Sequence, residues 1–306
     1  MKLLPSFIIF AVFSEIFAQD IEDAHDRLMV NDVFLPRMAD LDFSEDITVL
    51  IEGPSKSVCT GTLISDKHVL TAAHCFLGDE QCGNDLKADE TEVGPSDYTV
   101  FAKGTCRSQG NNTCDPVDEV KGFKVAKIHV LDEFFKTCKT GDLAIITLAV
   151  PVYTPAKRAQ FDYLRKNINK GNFTISGWGF DPKDPTNSGH QLLTAGLMAV
   201  PCPHAQKAYD HICVEESTND ACSGDSGGGL MNGRKIMGVV SAGNDCEALY
   251  KAFKQSKAGK IKKQETRQGV FTFVNAHMAF ICDVIKENYC KIPKYAKRYE
   301  KYTTLG

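Results

Sequence analysis

Along most of the chain, β-branched, aliphatic and aromatic residues come in short runs broken by Gly, Pro, Asp and Asn. That pattern predicts strands joined by turns. The predicted strands are Ile47 to Glu52, Gly61 to Ile64, His68 to Ala72, Tyr98 to Ala102, Phe123 to His129, Leu143 to Leu148, Phe173 to Ser176, Ile236 to Ser241 and Val270 to Val274. Many short strands with turn residues between them read as an all-β sandwich or barrel. Only one segment has a helical period: from Val274 to Tyr289, apolar Val274, Met278, Ile281 and Ile285 recur at spacings of three and four. A C-terminal helix is predicted there. No repeat recurs at a fixed period, and two barrels of diverged sequence would not produce one.

The first 18 residues break the pattern. Lys2 gives a positive start, Leu3 to Phe17 is mostly apolar, and Ile16 with Ala18 makes a cleavage site. Pro5 and Glu15 interrupt the run, which falls short of the ~20 apolar residues of a spanning helix. The reading is a secretory signal, with a mature start near Gln19. No later stretch is long and apolar enough to span a bilayer, so no membrane association is expected. The chain has 306 residues with 43% hydrophobic content, enough for one large domain or two small ones.

Twelve cysteines, none in a Cys-x-x-Cys pair, favour a disulfide framework over a zinc site. Two sequons, Asn111-Asn112-Thr113 and Asn172-Phe173-Thr174, fit a secreted glycoprotein. The net charge of -4 argues against a nucleic-acid binder. Cys106 to Cys114 encloses a polar loop that a local disulfide would close. The 22 residues between Cys246 and Gly269 hold Lys251, Lys254, Lys257, Lys260, Lys262, Lys263 and Arg267. This basic insertion is either a solvated excursion or an exosite for an anionic polysaccharide or protein.

The candidate chemistry centres on Ala221-Cys222-Ser223-Gly224-Asp225-Ser226-Gly227-Gly228-Gly229. A serine among so many glycines sits where the backbone turns tightly and bare N–H groups can face a developing oxyanion. Its hydroxyl is a weak nucleophile and needs a base. Of eight histidines, His74 follows a β-branched strand and adjoins Cys75, which can clamp it. His68 and His129 have only a structural claim. The base in turn needs a buried carboxylate, and Asp142 heads the apolar strand Leu143 to Leu148. A charge in that setting is costly unless partnered.

The blocks around His74, Asp142 and Ser226, in that order, together with Ser176-Gly177-Trp178-Gly179, resemble the trypsin and chymotrypsin family of serine proteases over about Ile47 to Glu287. The resemblance implies two six-stranded antiparallel β-barrels with a C-terminal α-helix, and an endopeptidase working through an acyl-enzyme. It implies an oxyanion hole from the N–H groups of Gly224 and Ser226. Asp225 would receive the new N-terminal ammonium after zymogen cleavage. Asp220 falls at the base of the primary specificity pocket, which implies cleavage after Arg or Lys; otherwise it is a surface acid in a turn. Gly243 and Gly269 match the small residues that keep the pocket open, and Ser241 to Gly243 matches the edge that pairs with substrate backbone. Disulfides Cys59–Cys75, Cys202–Cys213 and Cys222–Cys246 follow by the same resemblance. Cys82, Cys106, Cys114, Cys138, Cys282 and Cys290 do not map onto the family, and Cys106 with Cys114 is one expected bond. Cys282 and Cys290 lie eight apart, ~12 Å along a helix, and pair only if the helix ends between them.

The family's Ile-Val-Gly-Gly start is absent, and Arg27-Leu28 is the nearest activation site. Ala242 stands where the family usually has Trp, and Gly229 where proline commonly follows the Gly-Gly pair. The expected layout is a signal over 1–18, a propeptide over 19–27, a protease domain over 28–291 and a tail over 292–306. A monomer is the default, with a protein or peptide substrate and a protease inhibitor as partners. The chemistry requires no cofactor or metal, and Asp89, Glu90 and Glu92 lack a calcium-ligand pattern. The alternative is an inactive binding or regulatory protein on the same scaffold, motivated by the missing Ile-Val-Gly-Gly.

Overall fold

The computed structural model describes residues 43 to 306 except 44, 78–92, 155–157, 164–167, 182–183, 185–188, 216–220, 244, 249–250, 252–254, 256–267 and 297–300. All described residues lie within one compact unit, Pro36–Gly306. The first barrel is built from β1 (Thr48–Glu52), β2 (Val58–Leu63), β3 (His68–Thr71), β4 (Thr99–Ala102), β5 (Lys121–Leu131) and β6 (Ala144–Leu148). These run antiparallel in the order β5-β4-β1-β2-β3-β6, and β5 pairs back onto β6 to close the ring. The second barrel uses β8 (Gly171–Gly177), β9 (Leu193–Val200), β10 (His211–Glu215), β11 (Gly229–Asn232), β12 (Lys235–Ala242) and β13 (Gln268–Phe273). Its order is β11-β8-β9-β10-β13-β12, closed by β11 on β12. Closure removes the exposed strand edges that an open sheet would present.

Each ring carries one further strand. In the second, β7 (Gln160–Phe161) lies parallel to β12. In the first, β14 (Tyr302–Leu305) lies antiparallel to the far half of β5, pairing Tyr302 with Leu131 and Leu305 with Ile128. The stretch expected only as a tail over 292–306 therefore contributes a strand. Thr303 Oγ1 donates to Asp132 at 2.8 Å and Tyr302 OH to Asp283 at 3.0 Å, which fastens it at both faces.

Strand patterning follows burial. β1 is buried along Thr48 to Ile51, because both its faces are covered, and so it reads as an unbroken apolar run. In β5, Val125, Ile128, Val130 and Leu131 are buried while Lys124, Ala126 and Lys127 are exposed, and a register shift between Val125 and Lys127 breaks strict alternation. The first core gathers Val49, Ile51, Leu63, Val69, Val100 and Ile146; the second gathers Ile175, Leu197, Ile212, Val214, Leu230 and Phe271. Trp178 is fully buried in a small cluster with Leu50 and Val120.

Two helices are short. α1 (Asp132–Thr137) begins with Asp132 and Glu133 in its first turn, where acids suit the helix dipole, and ends on left-handed Cys138. α2 (Met278–Ile285) follows a 3-10 turn over Val274–His277 and packs Met278, Phe280 and Ile281 onto the first core. The predicted helix to Tyr289 is corrected here: Lys286 is left-handed at φ 52° and ends it. That stop lets the chain double back, so Cys282 bonds Cys290 across 5.4 Å between Cα atoms, a pairing a continuous helix would forbid. Among the described residues no helix is long and apolar enough to cross a membrane.

Candidate active site

His74 lies on a 3-10 turn, Ala73–Phe76, that follows β3 directly, and the Cys59–Cys75 disulfide ties that turn to β2. Asp142 follows α1 at the head of β6, and its side chain is 2% exposed. Its Oδ1 accepts from His74 N at 3.0 Å, and its Oδ2 pairs with His74 Nδ1 at 2.8 Å. A carboxylate only accepts, so Nδ1 carries the proton and Nε2 is the basic nitrogen of the neutral ring. The ring is 31% exposed, so the acid is sealed in while the base reaches the surface.

A third donor reaches Asp142 from the second barrel. Pairing of β12 with β13 slips between Val240 and Ala242, leaving Ser241 as the extra residue of a bulge. A bulge re-aims a side chain. Here Ser241 Oγ donates to Asp142 Oδ2 at 2.6 Å. Sequence reasoning placed Ser241 on the substrate edge and missed this contact, which no local pattern signals.

Ser226 sits in a turn whose flanking glycines are dictated by sterics. Gly224 has φ +98°, and a Cβ there would lie 2.9 Å from Gly179 Cα. Gly227 has φ +85°, and its Cβ would meet Thr71 Oγ1 at 2.0 Å. Only glycine permits both the conformation and the approach. The turn is tied to the first barrel by Thr60, which is fully buried. Thr60 N donates to Ser226 O at 2.8 Å, Thr60 Oγ1 donates to Gly224 O at 2.8 Å, and Trp178 N donates to Thr60 Oγ1 at 3.1 Å. Cys75 Sγ lies 3.7 Å from Ser226 O. Thus His74 and Asp142 are joined directly, while Ser226 is joined to that pair through backbone and disulfide. Thr60 is a second site residue that sequence reasoning missed.

Comparison with known proteins gives the chain a family. A family model described as Trypsin covers residues 36–256. The chain belongs to the trypsin family. Among curated trypsin-family relatives, the trypsin-like protease try-5 of Caenorhabditis elegans is 30% identical over 77% of this chain and 80% of its own length. A trypsin of Saccharopolyspora erythraea is 28% identical over 64% of this chain and 80% of its own. The serine protease grass of Drosophila melanogaster is 27% identical over 77% of this chain, which spans 62% of that relative. Membership makes the chain a serine protease at the level of the family, with the two-barrel fold that the sequence led us to expect.

In this trypsin-family chain the residue before Ser226, Asp225, is held by two backbone N–H groups. Its Oδ1 accepts from Gly179 N and its Oδ2 from Cys222 N, each at 2.8 Å. Gly177 and Gly179 leave it room, since a Cβ at either would press within 2.0 to 2.6 Å of its Oδ1. Burial pushes its carboxyl up to about 6, against the two backbone N–H groups, and the charge of Asp181 adds to the rise.

Around the site, Cys222 is bonded to Cys246, Cys202 to Cys213 and Cys106 to Cys114. Cys138 is also in a disulfide. Gly269 is buried in β13 opposite Val214, whereas Ala242 and Gly243 are exposed. Asn111 and Asn172 are both exposed. Arg27, Leu28, Asp220, Asp89, Glu90 and most of the basic stretch 251–267 lie outside the described residues, as do Glu92 and Cys82. Among the described residues the one cluster with metal-ligand composition is Cys106, Cys114 and His190, and its two sulfurs are already spent on a disulfide.

Proposed function

We propose that this chain is an active, secreted serine endopeptidase cleaving after Arg or Lys. One observation carries the reading: Asp142 is buried, holds three donors, and orients His74 through both its backbone N and its Nδ1. That is the geometry a general base needs, and its exposed edge faces the surface where a substrate arrives. Ser226 Oγ attacks the scissile carbonyl while His74 Nε2 takes its proton. The N–H groups of Gly224 and Ser226 receive the oxyanion, a contact worth ~2.7 to 4 kcal/mol per donor in the transition state. His74 then protonates the leaving amine, and a water activated by the same nitrogen releases the acyl group from Ser226.

Asp220, six residues before the nucleophile in sequence, supplies the charge that pairs with a substrate Arg or Lys. Cys222–Cys246 staples the segment that follows it. Asp225, which has no cation against its carboxylate among the described residues, suits an ammonium arriving from a cut after Arg27 that leaves Leu28 first. The leader over 1–18, the disulfides and the exposed Asn111 and Asn172 support a secreted, glycosylated monomer. It acts on a protein or peptide substrate and is open to a protease inhibitor. The basic stretch 251–267 suits an anionic partner.

The test is to express the chain from Gln19, treat half with trypsin, and titrate both halves with a fluorophosphonate probe while comparing Arg and Phe esters. Labelling at Ser226 only after a cut at Arg27, with the Arg ester preferred, is the expected result. Absence of labelling in folded protein favours the inactive scaffold that the missing Ile-Val-Gly-Gly suggests.

A further inference from the structure

A second buried acid stands behind Asp142. Asp210 is fully buried, and its Oδ2 accepts from Gly141 N at 2.8 Å and from His277 Nε2 at 2.9 Å. Its Oδ1 accepts no hydrogen bond among the described residues and faces His211 Nε2 at 3.8 Å. His211 is held between two carbonyls, Gln206 O at Nδ1 and Lys139 O at Nε2, each at 2.7 Å. Carbonyl oxygens only accept, so both ring nitrogens act as donors, the arrangement of the protonated ring. A positive ring beside Asp210 Oδ1 offsets the cost of a carboxylate oxygen without a hydrogen bond.

The cluster acts on one short segment. Lys139, Thr140 and Gly141 run directly into Asp142, and each is held from outside. His211 holds Lys139 O, Glu133 of α1 takes Thr140 Oγ1 at 2.7 Å, and Asp210 holds Gly141 N. Glu133 also accepts Tyr209 OH at 2.8 Å, so three consecutive residues, 209 to 211, converge on the three that precede the catalytic acid. Gly141 has φ +73°, and Leu143 N donates to its carbonyl at 2.6 Å. Both polar groups of this left-handed residue are therefore fixed.

We propose that Asp210, backed by His277 and His211, is a positioning residue that sets where Asp142 sits beneath His74. The inference rests on the proteolytic reading of Ser226, His74 and Asp142. Apolar packing would fill the same space at comparable stability, but only an acceptor at this point holds the Gly141 N–H. The groups facing Asp210 are His277 at the start of α2, His211 on β10, Tyr209 and Glu133 beside them, and Asp142 with His74 beyond Gly141. Burial alone would raise the Asp210 carboxyl. The hydrogen bond and charge of His277, the Gly141 N–H and the charge of His211 outweigh it and hold the group below its ordinary value.

The test compares Asp210→Ala, Asp210→Asn, His277→Gln and His211→Gln with wild type, in kcat per fluorophosphonate-titrated site and in the pH profile of kcat/KM for an ester. A displaced Asp142 stabilises the His74 imidazolium less, so the acid limb should move to lower pH. A displacement of about 1 Å is enough for a loss of up to ~100-fold in kcat, with KM unchanged. Asp210→Asn, which keeps an acceptor for Gly141, should lose less than Asp210→Ala. His211→Gln, at the rim of the cluster, should shift both readouts the same way by a smaller factor, and it decides the matter if the buried variants do not fold. Folded variants with wild-type kcat and an unmoved acid limb, whatever their thermal stability, would overturn the positioning role alone. A wild type neither labelled at Ser226 nor active would overturn the proteolytic reading with it.

Discussion

Replacing Thr60 by Val tests whether one buried hydroxyl fastens the Ser226 turn to the first barrel. Valine keeps the shape and removes a group that both gives a hydrogen bond to Gly224 O at 2.8 Å and takes one from Trp178 N at 3.1 Å. Each orphaned backbone group, buried away from water, costs about 1–3 kcal/mol. The better transfer of a methyl than a hydroxyl into this interior returns part of that, so the expected net loss is about 3 kcal/mol. At about 2–4 °C per kcal/mol for a chain of this size, the midpoint should fall by about 6–12 °C. Freed of its carbonyl anchor, Gly224 should also hold its N–H less firmly, lowering kcat by up to about tenfold. Urea denaturation with disulfides intact, together with kcat per titrated site, measures both, and Thr60→Ser, which keeps the hydroxyl, is the control. If Thr60→Val stays within 0.5 kcal/mol of wild type, about the spread of neutral surface changes, the anchoring argument is wrong.

Gly224→Ala should cut the fluorophosphonate labelling rate of Ser226 sharply, because the φ of +98° and the 2.9 Å approach to Gly179 both exclude a side chain. An unchanged rate would show that the turn relaxes freely. His129, held between Thr147 and Thr304, is pushed down to about 4, chiefly by burial and further by the charges of His68 and Lys127. Its unfolded form takes a proton near pH 6.5 and its folded form does not, so the stability present above pH 6.5 is lost as pH falls from there through about 4. His129→Gln should flatten that slope in urea midpoints, and an equal slope in both proteins would refute the assignment. Deleting residues 302–306 strips β14 from β5 and should speed amide exchange at Ile128 to Leu131, whereas unchanged exchange would mean the strand contributes nothing.

The strands legible in the sequence are those whose own residues declare them. β1, β3 and β6 are β-branched and bounded by turn residues. β9, Leu-Thr-Ala-Gly-Leu-Met-Ala-Val, and β11, Gly-Leu-Met-Asn, carry little such signal and exist because long-range ladders recruit them. The site divides in the same way. His74, Asp142 and Ser226 stand out by local context, since each needs a particular neighbour in sequence. Thr60, Asp210 and the Ser241 hydroxyl act on backbone or carboxylate groups 99 or more residues away in two of the three cases, and 69 in the other. Nothing within a short window marks such residues. The early end of α2 was hidden for a related reason, because Lys286 adopts a left-handed conformation more often supplied by Gly or Asn.

The attachment of β14 makes the two barrels unequal as folding units. Every strand of the second barrel lies in one continuous stretch of chain, but the first draws a strand from beyond all of them. The Thr303 to Asp132 contact spans 171 residues. Closing a flexible loop of that length carries an entropy cost of about 4.5 kcal/mol beyond the constant term. Prior folding of the second barrel shortens the effective loop and removes much of that cost, so β14 should dock late, after the second barrel has formed. The first barrel is thus the earlier one in sequence and the later one to be completed.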